Sequence, residues 1–192
     1  ELLSAFAKKH HIEFFQGSER DVLQRFIDAA EAFGIDIVVR VGGDDPFLDP
    51  EMSNRLIAIH KEKLPDYTSY ELFGKPTILT HSHVYPEVIA IGALKKEAEL
   101  FGSEKTKEHV TSGIYSHPEA FVVELVPVPD FWQRTDIRLT VDTDEDVRIT
   151  NRLIEEMERQ GRECVPREIA EYLDTHTEMT ERMKRVIAAQ EK

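Results

Sequence analysis

Cysteine is almost absent from this chain: Cys164 has no partner for a disulfide, so stability must come from a packed core. A chain of 192 residues can provide one, since a domain of that size buries roughly 70% of its unfolded surface without covalent staples. No signal peptide and no long apolar run are visible, so no spanning helix is expected and a cytoplasmic protein is the expectation. Basic residues are also few. With 24 lysines and arginines against 37 aspartates and glutamates, the formal net charge is -13. No cluster of cations supplies the basic face that a nucleic-acid backbone needs, so that class of partner is excluded. GxGxxG and GxxxxGK phosphate loops are missing throughout. A nucleoside triphosphate would be repelled by this net charge unless a divalent cation offset it locally.

Against these absences stands one informative stretch, Ile35 to Glu51, IDIVVRVGGDDPFLDPE. Ile35, Ile37, Val38, Val39 and Val41 form a short, mostly β-branched run that predicts a strand buried on both faces, at the centre of a helix-covered sheet. The run stops at Gly42-Gly43, and Asp44 and Asp45 follow before Pro46 turns the chain, so both acids belong at the strand's carboxyl end, the ligand-binding rim of open α/β sheets. Two adjacent carboxylates repel each other unless they are solvated or share a cation, and hard oxygen ligands suit Mg²⁺. A solvated polar turn and a Mg²⁺-phosphate site are both open on spacing alone.

Around this stretch the pattern predicts alternating helices and strands. A helix over Leu2 to Lys9 leads into a strand at Ile12 to Phe15. Ser18 and Asp21 have capping-pair spacing for a helix that ends at Gly34. Asp49, Pro50 and Glu51 open another helix, to about Lys63, with Leu56, Ile57 and Ile59 facing the sheet. A short strand at Tyr67 to Ser69 precedes a loop from Tyr70 to Tyr85. In that loop His81 and His83 stand two apart, as a transition-metal pair would, but spacing fixes no third ligand nearby. A strand from Val88 runs into a helix that ends at Phe101, and Gly102 to Lys107 reads as a surface connection. Phe121 to Val128 and Ile137 to Val141 predict two more strands. Thr143 and Asp146 cap a helix over Val147 to Gln160, which Gly161 stops before two polar amphipathic helices. The dense apolar segment Phe121 to Trp132 exceeds what one strand face buries, and predicts a homodimer contact.

GDDPFLDPE, with VVRV before it, resembles the GDxPLIxPE segment of the cytidylyltransferase family, enzymes that make CMP-activated sugar acids; the branch serving spore coat polysaccharide synthesis is the most similar. Four further stretches follow the family's order: FFQGSERDVLQRF (Phe14 to Phe26), PEVIAIGALKKEA (Pro86 to Ala98), KEHVTSGIYSHPEAF (Lys107 to Phe121) and RLTVDTDED (Arg138 to Asp146). The resemblance implies a Rossmann-like, GT-A-like nucleotidyltransferase fold: a three-layer α/β/α domain with a mixed, mainly parallel sheet over residues 1 to 160, followed by a helical extension over 161 to 192. It also implies that the chain begins in mid-fold at Glu1, that the family's glycine- and arginine-rich triphosphate loop lies upstream, and that these 192 residues alone turn over CTP negligibly.

By carry-over, Asp44 and Asp142 are the catalytic pair and share one Mg²⁺. Arg25, Arg40, Glu87, Glu108 and His109 are substrate-binding candidates. Three of them also have a plainer reading: a solvated or salt-bridged surface arginine for Arg25, a cap or ion pair for Glu87, a satisfied backbone carbonyl for His109. Two departures stand out. Lys107 replaces an arginine, losing its bidentate fork, and Tyr85 stands where an aspartate is usual, which leaves the acceptor sugar open. The activity implied is Mg²⁺-dependent transfer of CMP from CTP to an acidic sugar by a homodimer. The alternatives are a GT-A-type glycosyltransferase using a nucleotide-sugar, and a non-catalytic nucleotide- or sugar-binding homologue.

Overall fold

A computed structural model describes residues 2–102 and 107–190; residues 103–106 of the expected connection after Gly102 lie outside the described residues. The chain forms two compact units, one from residues 1–38 and 90–121, the other from 39–89 and 122–192. Among the described residues no helix is long and apolar enough to cross a membrane.

The first unit is helical. α1 (Leu2–Lys9) forms as expected but buries only Ala7, while Leu2, Leu3 and Phe6 are exposed. The strand expected at Ile12 to Phe15 is absent. His11 adopts a positive φ of 55°, and the Ile12 amide bonds back to the Ala7 carbonyl at 2.9 Å, so the chain turns instead of extending along a partner. α2 (Val22–Phe33) is capped by Asp21, whose side chain accepts from the Gln24 amide, while Ser18 Oγ accepts from the Asp21 amide at 2.9 Å; the two residues cap in tandem rather than reciprocally. Gly34, at φ 65°, ends the helix in the left-handed conformation that disfavours a side chain. α4 (Ile91–Phe101) carries the buried Glu97, whose Oε1 accepts the Gly113 amide at 2.6 Å and so anchors α5 (Ser112–Ser116).

The second unit holds most of one sheet: β1 (Ile37–Arg40), β2 (Tyr67–Leu72), β3 (Lys75–Pro76), β4 (Glu87–Ala90) and β5 (Val123–Pro127), in the order β1-β4-β2-β3, with β5 pairing β2. The sheet is mixed, as expected: β2 runs antiparallel to β3 and β4 and parallel to β5. Its centre is β2, not the Ile35–Val41 stretch. Strand β1 has only β4 beside it among the described residues, and Val39 and Val41 are 40% and 43% exposed, whereas Tyr67, Thr68, Ser69 and Tyr70 are fully buried. The apolar run marked a strand correctly; rank in the sheet depends on neighbours, which composition does not show.

α3 (Pro50–Lys63) starts on Asp49, whose side chain accepts from the Met52 amide at 3.0 Å. It buries Ser53, Leu56 and His60 rather than the expected Leu56, Ile57 and Ile59 face, and His60 bonds Thr68 Oγ1 at 2.8 Å. The expected loop from Tyr70 is partly ordered: β2 turns through Phe73 and Gly74 into β3, and a 3₁₀ turn follows at Thr77–Leu79. Phe73 (φ 52°) and Gly74 (φ 79°) both have positive φ, as a type I′ hairpin turn requires, and a bulky residue is strained at the first of these. Replacing Phe73, 68% exposed, by Asn should therefore stabilise the protein by about 1 kcal/mol in urea unfolding; no gain would show that the turn carries no strain.

The expected strand over Ile137 to Val141 does not join the sheet. Its amides bond loop carbonyls instead, Leu139 to His81 and Val141 to Asp44, both at 3.0 Å. The segment Phe121 to Trp132, where a dimer contact is expected, places much of its apolar surface in the chain's own core. Phe121, Val126, Val128 and Trp132 are buried within the chain, Trp132 completely, while Val122 stays exposed. The apolar density of this segment serves β5 and the packing of a 3₁₀ turn, Asp130–Trp132, against the helix Pro166–Thr175. After it come α6 (Asp144–Arg159), closed by the Thr143/Asp146 capping box, then α7 (Pro166–Thr175) and α8 (Thr177–Gln190). The helices beyond Gly161 belong to the second unit, where Ile169, Leu173, Met183 and Ile187 are buried and Arg134 pairs with Asp174.

Candidate active site

In the second unit three segments outside the strands meet: the turn after β1, the loop that carries His81 and His83, and the stretch before α6. Gly42 lies at the end of β1, and a Cβ there would come 2.5 Å from Asp44 Oδ1 and 2.3 Å from Asp45 Oδ2. Both carboxylates therefore fold back over Gly42, and a side chain there would push them aside. Asp44 is exposed; Asp45 is nearly buried, with a 7% exposed side chain. Its Oδ1 lies 3.2 Å from His83 Nδ1, too poorly aligned for a hydrogen bond, and no other donor reaches that oxygen among the described residues. Burial opposes a charge on His83, but Asp45, the Thr80 backbone and Asp44 outweigh it and hold its pKa above the ordinary histidine value.

Against this turn lies the extended segment before α6. The Val141 amide donates to the Asp44 carbonyl at 3.0 Å and Thr140 Oγ1 donates to Asp44 Oδ2 at 3.4 Å, so Asp142 emerges beside Asp44. Asp142, 48% exposed, accepts from Arg138 Nη2 at 2.5 Å. The same guanidinium, 1% exposed, grips Asp146 through Nε at 2.8 Å and Nη2 at 3.0 Å, and donates through Nη1 to His81 Nδ1 at 2.9 Å. A guanidinium only donates, so His81 Nδ1 carries the lone pair and the ring is the neutral Nε2–H tautomer. Asp146 Oδ2 also accepts the amides of Asp142 and Thr143. Burial pushes the Asp146 pKa up, yet Arg138 and Thr143 prevail and hold it below the usual carboxylate range. A cavity of about 360 Å³ opens beside His81, lined also by Phe73, Lys75, Leu79, Ser82 and Arg134.

The predicted site residues divide between the units. Asp44 and Asp142 come together in the second. Arg40 and Glu87, also there, are tied to each other at 2.5 Å, and Glu87, 3% exposed, accepts from Tyr67 as well at 2.6 Å. That is the ion-pair reading of Glu87. In the first unit Arg25 donates to the Ser18 carbonyl at 2.8 Å, with its stem packed over Gly17, and so braces the loop before α2. Glu108 and His109 are exposed in that unit, and the His109 carbonyl accepts the Ser112 amide. Tyr85, at the family's aspartate position, is a core residue: its ring lies 4.6 Å from Tyr70, and its buried hydroxyl has no partner among the described residues. Tyr85→Phe should thus leave stability unchanged or raise it by about 1 kcal/mol in denaturant unfolding; a loss of that size would show that the hydroxyl is bonded. Sequence reasoning passed over Arg138, and weighed His81, His83 and Asp45 only as possible metal ligands, not as partners of Arg138 and of one another. Arg138 carried a signal, standing four residues before Asp142 and eight before Asp146.

The cytidylyltransferase family model matches residues 2–174. The chain belongs to the cytidylyltransferase family. As a member it is 32% identical over 149 residues to the spore coat polysaccharide biosynthesis protein SpsF of Bacillus subtilis (strain 168), covering 76% of this chain and 58% of that protein. It is 34% identical over 138 residues to an uncharacterized protein, MJ1063, of Methanocaldococcus jannaschii, covering 72% and 54%. This cytidylyltransferase-family chain thus spans a little over half the length of the curated relatives it matches. Its fold matches the structure of a cytidylyltransferase from Leptospira borgpetersenii serovar Hardjo-bovis (strain JB197) with a TM-score of 0.79 at 21% identity, over 93% of this chain and 73% of that one. The expected Rossmann-like α/β class is thereby shown.

Proposed function

We propose that the protein transfers CMP from CTP to a hydroxyl of an acidic sugar for cell-surface polysaccharide synthesis in the cytoplasm, with Asp44 and Asp142 as ligands of one Mg²⁺. The observation that carries this reading is the convergence of GDDP and VDT, which the Val141–Asp44 backbone bond brings side by side in a chain of this family. The residues fit such an ion. Asp44 is exposed and Asp142 is half exposed, so both carboxylates can be reached from solvent. Among the described residues no three acidic, histidine or cysteine side chains form a ready-made cage, and Mg²⁺ is usually held by one or two carboxylates together with substrate phosphates and water.

When bound, magnesium neutralises charge on the triphosphate oxygens. The chain's own part is positioning. Arg138, locked on Asp146, holds Asp142 at the end of its segment, and Thr140 holds the Asp44 carboxylate. The acceptor hydroxyl forms a new bond to the α-phosphorus as the bond to pyrophosphate breaks, so no covalent enzyme intermediate is needed. The cavity beside His81, with Lys75 at its lining, offers a cation and polar groups to a sugar carboxylate. The resemblance implies a homodimer too; its contact would use surface other than Trp132. The test is pyrophosphate release by the purified full-length protein with CTP, Mg²⁺ and a panel of keto-sugar acids. Release that needs both CTP and one of these acids is expected; its absence across the panel, or release of UDP from a UDP-sugar in its place, contradicts the reading.

A further inference from the structure

The two histidines of the Thr80–Val84 loop remain without a role, and they are not placed as metal ligands. Their rings diverge to two separate partners: His81 Nδ1 meets Arg138, which holds Asp142, and His83 Nδ1 meets Asp45, the neighbour of Asp44. The backbone of the same loop is fixed at both ends of this span, with the Leu139 amide on the His81 carbonyl and the Asp49 amide on the Val84 carbonyl, each at 3.0 Å. The bonds of Thr140 and Val141 to Asp44 close a ring in which these contacts alternate with short stretches of chain, from Arg138 to Val141, from Asp44 to Asp45 and from His81 to His83. A ring of this kind resists displacement of any one member, because each is held from two directions.

We propose that His81 and His83 are positioning residues that together act as a strut, fixing the separation of the Asp44 and Asp142 carboxylates; this rests on the reading of those acids as a metal pair. Neither ring needs to touch the ion. His81 contributes as the neutral acceptor that stops the Arg138 guanidinium from swinging, and His83 as the group that keeps Asp45, and with it the Gly42–Asp45 turn, folded towards the loop.

The experiment uses Mn²⁺ as the probe ion, titrated into the protein and followed by its electron paramagnetic resonance signal, with amide hydrogen exchange of Val141 read by NMR on the same samples. His81→Leu and His83→Leu should each weaken Mn²⁺ binding about 10- to 100-fold, as loss of groups behind metal ligands does. Val141 exchange should rise at least about tenfold, while amides of α8 keep their protection. His81→Gln, whose amide oxygen can accept from Arg138, should recover most of the affinity, which a merely stabilising histidine would not show. Unchanged affinity in both leucine variants, with Asp44→Asn abolishing binding, would overturn the strut and leave the acid pair standing. Binding insensitive to Asp44→Asn would instead overturn the acid-pair reading, and the strut with it.

Discussion

Arg138→Ala should cost about 3–5 kcal/mol of stability, lowering the melting temperature on the order of 10 °C for a chain of this size. The guanidinium is 1% exposed and faces Asp146, itself 2% exposed, through two hydrogen bonds. Removing it leaves a buried carboxylate uncompensated, which is the expensive way to break an ion pair. Replacing both partners, Arg138→Met with Asp146→Asn, should cost clearly less, because no buried charge remains. The pH dependence follows from the sign of the Asp146 shift. Its folded pKa lies below the unfolded value of 3.8, so the pair contributes stability fully above that value and loses it as pH falls through the folded pKa. In Arg138→Ala the hydrogen bonds from Thr143 and the Asp142 amide still lower the Asp146 pKa, but the guanidinium no longer opposes burial, so that pKa lies higher than in the wild type. The deficit relative to wild type should therefore be largest at neutral pH and shrink below about pH 4. Urea unfolding at several pH values reads this directly; a deficit independent of pH would assign the loss to packing instead of charge.

Much of this architecture was legible in the sequence, and the parts that were not share a physical cause. Helix ends were readable because caps are local: Asp49 with Pro50, the Thr143/Asp146 box, and the left-handed Gly34 and Gly161 all act within a few residues. Strand existence was readable at β1, β4 and β5 from apolar runs. Strand rank was not. β2, with the sequence YTSYEL, is central because partners lie on both of its edges, and its buried polar groups are satisfied by non-local bonds such as His60 to Thr68 and Tyr67 to Glu87. The segment Ile137 to Val141 has a strand's composition, but its donors meet loop carbonyls. The acids Asp44 and Asp142 were found through motif resemblance, and their juxtaposition depends on that unladdered segment. Trp132 misled for the opposite reason: a dense apolar run signals burial without saying whether the burying surface is the chain's own or a partner's.

The central claim is that Asp44 and Asp142 work as one unit. Ligands of a shared ion are strongly non-additive, because losing either already forfeits what the pair supplies. Asp44→Asn and Asp142→Asn should each lower kcat/KM for CTP-dependent pyrophosphate release by at least about 10²-fold, the scale on which preorganised charge stabilisation acts. The most direct measurement is the double-mutant cycle on that rate in the full-length protein, at saturating Mg²⁺ and with folding checked by circular dichroism. The account predicts that the double variant is no worse than the poorer single one. Losses that multiply, or a single variant that keeps the wild-type rate, would contradict it.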